Sequence, residues 1–489
     1  MTATGIMSLL EGVHSTPSGP GDVTVSSIEY RSDRVIEGSA FFCIAGFAHD
    51  GHEFAADAAA RGASTLVVER FLDEVSLPQF RVADTRVALA LASAAFYGFP
   101  SRDLDVIGIT GTNGKTTTTY LLDAILRAAG RTTGVIGTVE TRIAGQRTSA
   151  SRTTPESSDL QALLADMREA RVSALSMEVS SHAIDLHRVD GVQFAVAAFT
   201  NLTQDHLDYH HTLEEYFSVK RRLFTDFAVG ARVINIDDPL GADMAAELPN
   251  VIAVGRSPRA ALRAVDESMS ATGTEFTLLL RGGRAGNTDV RVVLPLAGAY
   301  NVSNALIAAG CALALGISLE QIADGLRHAP QVPGRLEQVP NRCGFSVVVD
   351  YAHTPDSLEK ATRAVRAVTD GRVIVVFGCG GDRDPEKRPL MAAAAAAAAD
   401  YSIVTSDNPR SEDPVGIILQ VEDGLRETGA AYEVEVDRRK AIASAIALAQ
   451  PGDCVLIAGK GHENYQIFAD RTIHFDDREV AHEELAKSC

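Results

Sequence analysis

Short apolar runs recur along this chain, and most of them end in a polar loop. Residues 106–109, Val-Ile-Gly-Ile, read as a buried strand. Residues 110–114 then form a small loop, and 117–127 carry Tyr120, Leu121, Ile125 and Leu126 at helical spacing. Two further strands are expected at 175–182 and 195–202, with helices at 158–170 and 216–227. Residues 276–280 and 290–294 suggest a hairpin around Gly282-Gly283, and 296–304 lead into an Ala-rich helix ending at 315.

Upstream, 23–30 alternates like a strand, 40–45 and 65–68 are buried runs, and 54–61 and 86–96 have helical composition. Tyr97-Gly-Phe-Pro-Ser101 breaks the pattern and reads as a linker. Downstream, four apolar strands are expected at 346–350, 373–377, 401–405 and 454–458. Helices fall at 356–368, 392–399, 414–425 and 438–449. Strands that are apolar throughout and alternate with helices predict mainly parallel sheets covered on both faces. The expected fold class is α/β in three domains. These are a small N-terminal α/β domain at 1–102, a P-loop doubly wound domain at 103–331, and a Rossmann-like domain at 332–489.

Composition narrows the function classes. The net charge is −19, from 45 basic and 64 acidic residues, which argues against a nucleic-acid or anionic-membrane surface. Anionic ligands must then be held by local groups of Arg, Lys and N–H. No apolar run is long enough to span a bilayer, and the N-terminus lacks a signal-peptide pattern. The six cysteines have neither C-x-x-C nor zinc spacing, which fits a reducing cytoplasm where most are small buried residues.

The candidate chemistry sits at strand ends. Gly111-Thr-Asn-Gly-Lys-Thr116 follows a strand and opens a helix, the layout of a phosphate cradle. The commoner motif has glycine where Ile109 stands, so this loop is shorter in glycine. Lys115 can reach the outer phosphates of a nucleoside triphosphate, and the Thr116 hydroxyl can ligate Mg²⁺. Glu178 and His206 follow two strands beside this loop and suit a divalent cation. Either alone reads as a surface acid or a packed histidine, but their shared placement at strand ends favours the ligand reading. Tyr300-Asn-Val-Ser-Asn304 reads evenly as a helix N-cap or as amides facing an adenine edge. Loops 350–356, 378–388, 407–410 and 459–463 all follow strands and should share one sheet edge. The second carries Arg383, Lys387 and Arg388, a density of cations that favours anion recognition.

Gly111-Thr-Asn-Gly-Lys-Thr116, Glu178-Val-Ser-Ser-His182, Asn201-Leu-Thr-Gln-Asp-His-Leu-Asp-Tyr-His210 and Asp350-Tyr-Ala-His-Thr-Pro355 resemble the Mur ligase family, in order and over nearly the whole chain. The resemblance implies a cytoplasmic, ATP- and Mg²⁺-dependent amide ligase of peptidoglycan synthesis, a monomer with no membrane or nucleic-acid partner. It would add meso-diaminopimelate to UDP-N-acetylmuramoyl-L-alanyl-D-glutamate through an acyl phosphate. The first domain would then bind the UDP-substrate and the third the amino acid. The same ligation with L-lysine, or a folylpolyglutamate-synthase-like reaction, is the alternative.

The resemblance also implies roles. Gly111, Thr112, Asn113, Gly114, Lys115, Thr116, Thr117, Asn301, Asn304, Arg335 and Asp350 would contact ATP. Thr116, Glu178, His206 and Lys220 would hold the metal, with Lys220 carbamylated to N6-carboxylysine. Lys115, Lys220, His206 and Glu178 would be the catalytic set, while Ser32, Thr153, Thr154, Ser180 and Arg188 would contact the UDP-substrate. Arg388, Asp407, Asn408, Pro409, Arg410, Gly459 and Glu463 would receive the amino acid. Two departures stand out: the order Ser32-Asp33-Arg34 where the family shows Asp-Ser-Arg, and Leu186 where a Gln is frequent.

Overall fold

The computed structural model describes residues 1–8, 23–47, 49–150, 152–270, 272–283 and 286–488. Cys489, one of the six cysteines counted above, lies outside them. The chain divides into two compact units. One comprises Met1–Thr110, Gly130–Ala198 and Phe217–Arg232, and the other Gly111–Ala129, Phe199–Tyr216 and Val233–Cys489.

The first unit opens with four short parallel strands in sequence order: Ser27–Glu29, Ser39–Phe42, Ala63–Val68 and Gln79–Arg81. Alternate residues face two cores. Ala40, Phe42 and Val67 join one that includes Leu89 and Ala92, while Phe41, Leu66 and Val68 join another with Ala55 and Ala58. The helices Thr85–Phe96 and Ala55–Ala60 supply those layers. The expected strand at 23–30 is regular only over Ser27–Glu29; Val25 still enters the core, but its N–H donates to Met1 O and Thr24 forms only an isolated bridge with Thr2.

The same unit carries strands in the order Phe194–Phe199, Asp105–Thr110, Ala174–Glu178, Thr133–Ile136, Glu140–Ile143 and Gln146–Ser149. Asp105–Thr110 and Ala174–Glu178 run parallel, with Ile109 opposite Glu178. The expected strand at 175–182 stops at Glu178, because Ser180 caps a helical turn, Ser181–Asp185, by accepting from the Ala183 N–H.

In the second unit, Leu262–Ser270, Gly273–Gly283 and Gly286–Leu294 form an antiparallel meander, so the expected hairpin gains a third strand. The C-terminal sheet has the order Glu337–Gln338, Ser346–Asp350, Cys454–Ala458, Val373–Phe377, Tyr401–Val404 and Tyr432–Val434. All but the first are parallel. Val348, Val375, Phe377 and Leu456 pack into one core, and Val347, Val349, Ile374, Val376 and Ile457 into the other. Burial on both faces explains the unbroken apolar runs. Asp350 pairs with Ala458, and Phe377 with Val404, so the following loops leave from one edge.

Cys43, Cys311 and Cys454 are buried free thiols and Cys379 is a partly buried one. Cys343 is disulfide-bonded, so the reading of isolated thiols holds for those four.

Candidate active site

The strand Asp105–Thr110 ends where Gly111 takes φ +142°, and Gly114, at φ +86°, precedes the helix Lys115–Ala128. A Cβ on Gly111 would collide with Thr200 Oγ1, and one on Gly114 with Asn304 Oδ1. Only glycine lets backbone pass here. Gly114 stands at the N-cap with no side chain to occupy the helix's leading N–H groups, a fit for phosphate oxygens. Lys115 Nζ donates to the carbonyls of Gly111 at 2.9 Å and Thr112 at 2.8 Å, which folds the ammonium over the loop. Thr116 and Thr117 are buried in the first helical turn.

The loop is braced from the segment after Phe199. The Thr112 N–H donates to Asn201 O at 2.9 Å, and the Asn113 N–H donates to Asn201 Oδ1 at 3.1 Å. Asp356 Oδ2, in the helix Pro355–Arg366, accepts from Asn113 Nδ2 and Thr203 Oγ1, both at 3.1 Å. Lys360 also pairs with Asp356, at 2.9 Å. Asp356 closes the 350–356 loop expected at the sheet edge, where the sequence assigned it no role of its own.

Asn301 and Asn304 do not cap their helix; Gly298 holds the N-cap position of Ala299–Ala314. Both are buried, with Asn304 Nδ2 donating to Asn301 Oδ1 at 3.1 Å and Asn301 Nδ2 to Ala297 O at 2.8 Å. Their polar ends face the phosphate loop through Asn304 and Gly114. Arg335 Nη2 lies 3.5 Å from Thr116 Oγ1, and its guanidinium stacks 4.5 Å over the Tyr351 ring. Asp350 accepts from the N–H groups of Leu336 at 2.7 Å and Ala352 at 2.8 Å. Burial raises its carboxyl above the ordinary value, against the pull of Arg335 and those two bonds.

His206 adopts a left-handed φ of +53° and lies 3.5 Å from Asp205. Asp205 is held low despite its burial by the charges of His206, His353 and Lys387. Among the described residues, no three His, Cys, Asp or Glu side chains gather at a metal-sized site. The expected metal set draws only Glu178 and His206 from those types.

Glu178 is the last residue of its strand, fully buried, with Oε1 accepting from the Thr138 N–H at 2.8 Å and Oε2 from Thr138 Oγ1 at 3.1 Å. Thr153 Oγ1 lies 3.0 Å from Thr138 Oγ1. Thr154 Oγ1 donates to Glu178 O at 2.9 Å and accepts from the Ser180 N–H at 3.2 Å. Arg188 Nη1 reaches Thr154 O at 3.5 Å. Glu178, Thr153, Thr154, Ser180 and Arg188 therefore form one cluster. Ser32 is engaged elsewhere, bonded to Asp57, whose carboxyl it helps hold low. Lys220 is 1% exposed on the helix Leu213–Thr225.

At the C-terminal edge, Asn408 Nδ2 donates to Glu463 Oε2 at 2.9 Å. Asn408 Oδ1 accepts from the Ile467 N–H at 3.0 Å and from Lys460 Nζ at 3.2 Å, which fixes the amide orientation. Lys460 is fully buried and pairs with Glu463 at 3.4 Å. Its neighbours in sequence were foreseen as contacts and it was not, since nothing in a Gly-Lys-Gly pattern marks a lysine as interior. Gly459 lies against Asp407, where a Cβ would meet Oδ2 at 2.7 Å. Pro409 is buried, and Arg410, at φ +53°, donates from its guanidinium to Gly381 O. Arg388 was expected beside Arg410, but its guanidinium is taken by Glu412 at 2.9 and 3.0 Å and Gln420 at 2.8 Å. Beneath the edge, Arg438 and Asp477 form a fully buried pair at 2.7 Å, and Arg438 also donates to Ala458 O at 2.9 Å.

A glycine-hinged phosphate loop, with parallel-sheet loops that gather an acid, an amide and cations, is the arrangement of a nucleotide-binding α/β protein. Residues 24–97 match the Mur ligase family catalytic domain, 109–312 the Mur ligase middle domain and 334–461 the Mur ligase glutamate ligase domain. The chain belongs to the Mur ligase family. The UDP-N-acetylmuramoyl-L-alanyl-D-glutamate–2,6-diaminopimelate ligase of Geobacillus kaustophilus is 47% identical over 473 residues, 94% of this chain and 95% of that protein. A solved ligase of the same description aligns at 30% identity and TM-score 0.70, over 100% of this chain and 99% of that one. MurF of Thermotoga maritima, solved with ADP, aligns at 20% identity and TM-score 0.64, over 95% of this chain and 98% of that one, and speaks to the fold alone.

Proposed function

We infer that this protein is an ATP-dependent ligase that joins meso-diaminopimelate to UDP-N-acetylmuramoyl-L-alanyl-D-glutamate in peptidoglycan precursor synthesis. The observation that carries the reading is near-half identity, over almost the entire chain, to ligases named for that reaction. The domains are read as 1–102 for the UDP-substrate, 103–331 for ATP and 332–489 for the amino acid.

A carboxylate is a poor electrophile, so the D-glutamyl γ-carboxylate must first take a phosphoryl group. Lys115 follows the transferred phosphoryl charge, and Asn301, Asn304, Arg335 and Asp350 orient the nucleotide around the loop. Thr116, Glu178, His206 and a carbamylated Lys220 would hold Mg²⁺, whose charge offsets the phosphate oxygens. The amine of the incoming amino acid then attacks the acyl phosphate, and phosphate leaves. Thr153, Thr154, Ser180 and Arg188 position the acid, with Ser32 at the uridine end. Asp407, Asn408, Arg410, Gly459 and Glu463 position the amine. Arg410 is read as the fork for the far carboxylate of diaminopimelate, which L-lysine lacks. Arg388 acts at one remove, by anchoring Glu412 two residues beyond Arg410. The protein is read as a cytoplasmic monomer; among the described residues no helix is long and apolar enough to cross a membrane.

An assay of ADP and phosphate release tests the reading. Release should require both the UDP-dipeptide and diaminopimelate. Release with the acid absent, or a preference for L-lysine or a folate, would overturn the respective part.

A further inference from the structure

Three guanidinium groups converge on one carboxylate in the first unit. Glu156 Oε2 lies 3.3 Å from Arg188 Nε, 3.6 Å from Arg86 Nη1 and 3.7 Å from Arg152 Nη1. The Glu156 side chain is 6% exposed and those of Arg188 and Arg86 15% and 18%, while Arg152 closes the group from the solvent side at 52%. Its other oxygen accepts from the Ser157 N–H at 3.3 Å. Arg86 Nη1 and Arg188 Nε are both buried and make no hydrogen bond. Burial pushes Arg188 below its ordinary value, and Arg152 and Arg86 push the same way against the single opposing Glu156.

Gathering like charges in a poorly solvated place is unfavourable unless an anion shares it. The cluster joins the hydroxyl group already described, since Arg188 reaches Thr154 O. Arg86 comes from a different part of the chain. It opens the helix Thr85–Phe96, where Asp84 accepts from the N–H groups of Arg86 at 2.7 Å and Val87 at 3.1 Å and so fixes the start. Arginine suits the task, because its planar fork binds carboxylate or phosphate through two parallel bonds.

We propose that Arg86 is a substrate-binding residue, forming with Arg152 and Arg188 a guanidinium trio that takes an oxyanion of the UDP-linked dipeptide. The proposal rests on the ligase reading above and adds a residue from the first domain to its acid site. Glu156 holds the three forks apart and in register. Two groups of that substrate offer the required chemistry, the diphosphate and the D-glutamyl α-carboxylate.

The test compares wild type with Arg86→Gln and Arg86→Lys, each checked for a cooperative melt. Arg86→Gln should raise KM for the UDP-dipeptide about tenfold or more, the scale of a lost charge-assisted bond. KM for ATP and for diaminopimelate should hold. Arg86→Lys should recover part of the loss, since it restores charge without the fork. The experiment is repeated with the D-isoglutamine form of the substrate, whose α-carboxylate is an amide. An equal penalty with both substrates assigns the trio to the diphosphate. A penalty only with the free acid assigns it to the carboxylate. Unchanged KM with both, together with a lower melting temperature, would overturn the proposal and leave Arg86 as a partner of Glu156. Failure of wild type to turn over would count against the ligase reading alone. Calorimetry of UDP-dipeptide binding to wild type and the two variants would still decide the role of Arg86.

Discussion

Asn408 hands its amide N–H to Glu463 while its oxygen is held by Lys460 and the Ile467 N–H. With the amide locked and Oε2 of Glu463 engaged, the carboxylate's orientation is set before any ligand arrives. On the proposed reading, specificity then rests on Arg410. Arg410→Ala should lose activity with diaminopimelate by about 10²-fold, the scale of a charge-assisted pair of about 3 kcal/mol. KM values for ATP and the UDP-dipeptide should change little. Steady-state kinetics with each substrate varied would check this, and unchanged use of diaminopimelate would refute the assignment.

Gly114 and Asn304 give a paired test. Gly114→Ala meets both a φ of +86° and the Asn304 amide, so nucleotide binding should be lost in a protein that still folds. Adding Asn304→Gly removes the collision but not the backbone strain, which remains at about 1 kcal/mol. Fluorescent ADP titration should show the double variant still defective, since Asn304 is itself read as a nucleotide contact and the strain at Gly114 remains. Binding restored to the wild-type level in the double variant would remove Asn304 from that role.

Lys220 is buried on a helix that also carries Arg221 and Arg222. As a carbamate it becomes an anion able to help hold Mg²⁺. Lys220→Ala should be nearly inactive and partly restored by formate or acetate. Mass spectrometry under CO₂ should find the added carboxyl on this lysine; an unmodified lysine in fully active enzyme would remove the carbamate from the scheme.

Arg438 and Asp477 are both wholly removed from solvent. Asp477→Ala would strand a buried guanidinium and should destabilise the C-terminal domain by about 3–5 kcal/mol. Denaturant titration of the variant measures it directly. A loss below about 1 kcal/mol would show that water reaches Arg438 after all.

Glu29 has its carboxyl pushed up to about 7 by burial, with Asp159 and Asp33 adding to the effect and Arg34 opposing it. A raised carboxyl favours the folded state when protonated. That stability is complete below the ordinary value of 4.5 and fades as pH rises through about 7. Glu29→Gln should therefore raise the melting temperature at pH 8 and leave it little changed near pH 4. An equal shift at both values would assign the effect to packing.

The C-terminal sheet was the most legible part of the chain. Strands expected at 346–350, 373–377 and 454–458 match Ser346–Asp350, Val373–Phe377 and Cys454–Ala458, because burial on both faces leaves no polar residue inside the run. Gln146–Ser149 could not be read that way: all four residues are exposed, and only the turn at Ala144 and Gly145 sets their pairing with Glu140–Ile143. The helix Leu319–Arg327 was missed although Ser318 and Gln321 form a capping box at its start. Motif spacing singled out 111–116 and 407–410 as candidate loops. It could not reveal Lys460 or Arg438, whose importance comes from burial that only the folded chain displays.

Asp356 ties the helix Pro355–Arg366 to both Asn113 and Thr203. If nucleotide contacts Asn113 as proposed, its binding is felt by that tie. Linkage then runs both ways: a ligand that favours one arrangement of the Asp356 bonds alters nucleotide affinity by the factor that nucleotide returns to it. An order of substrate arrival can emerge from this reciprocity. A small molecule that only strengthened the tie could hold the enzyme out of turnover without occupying a substrate's place.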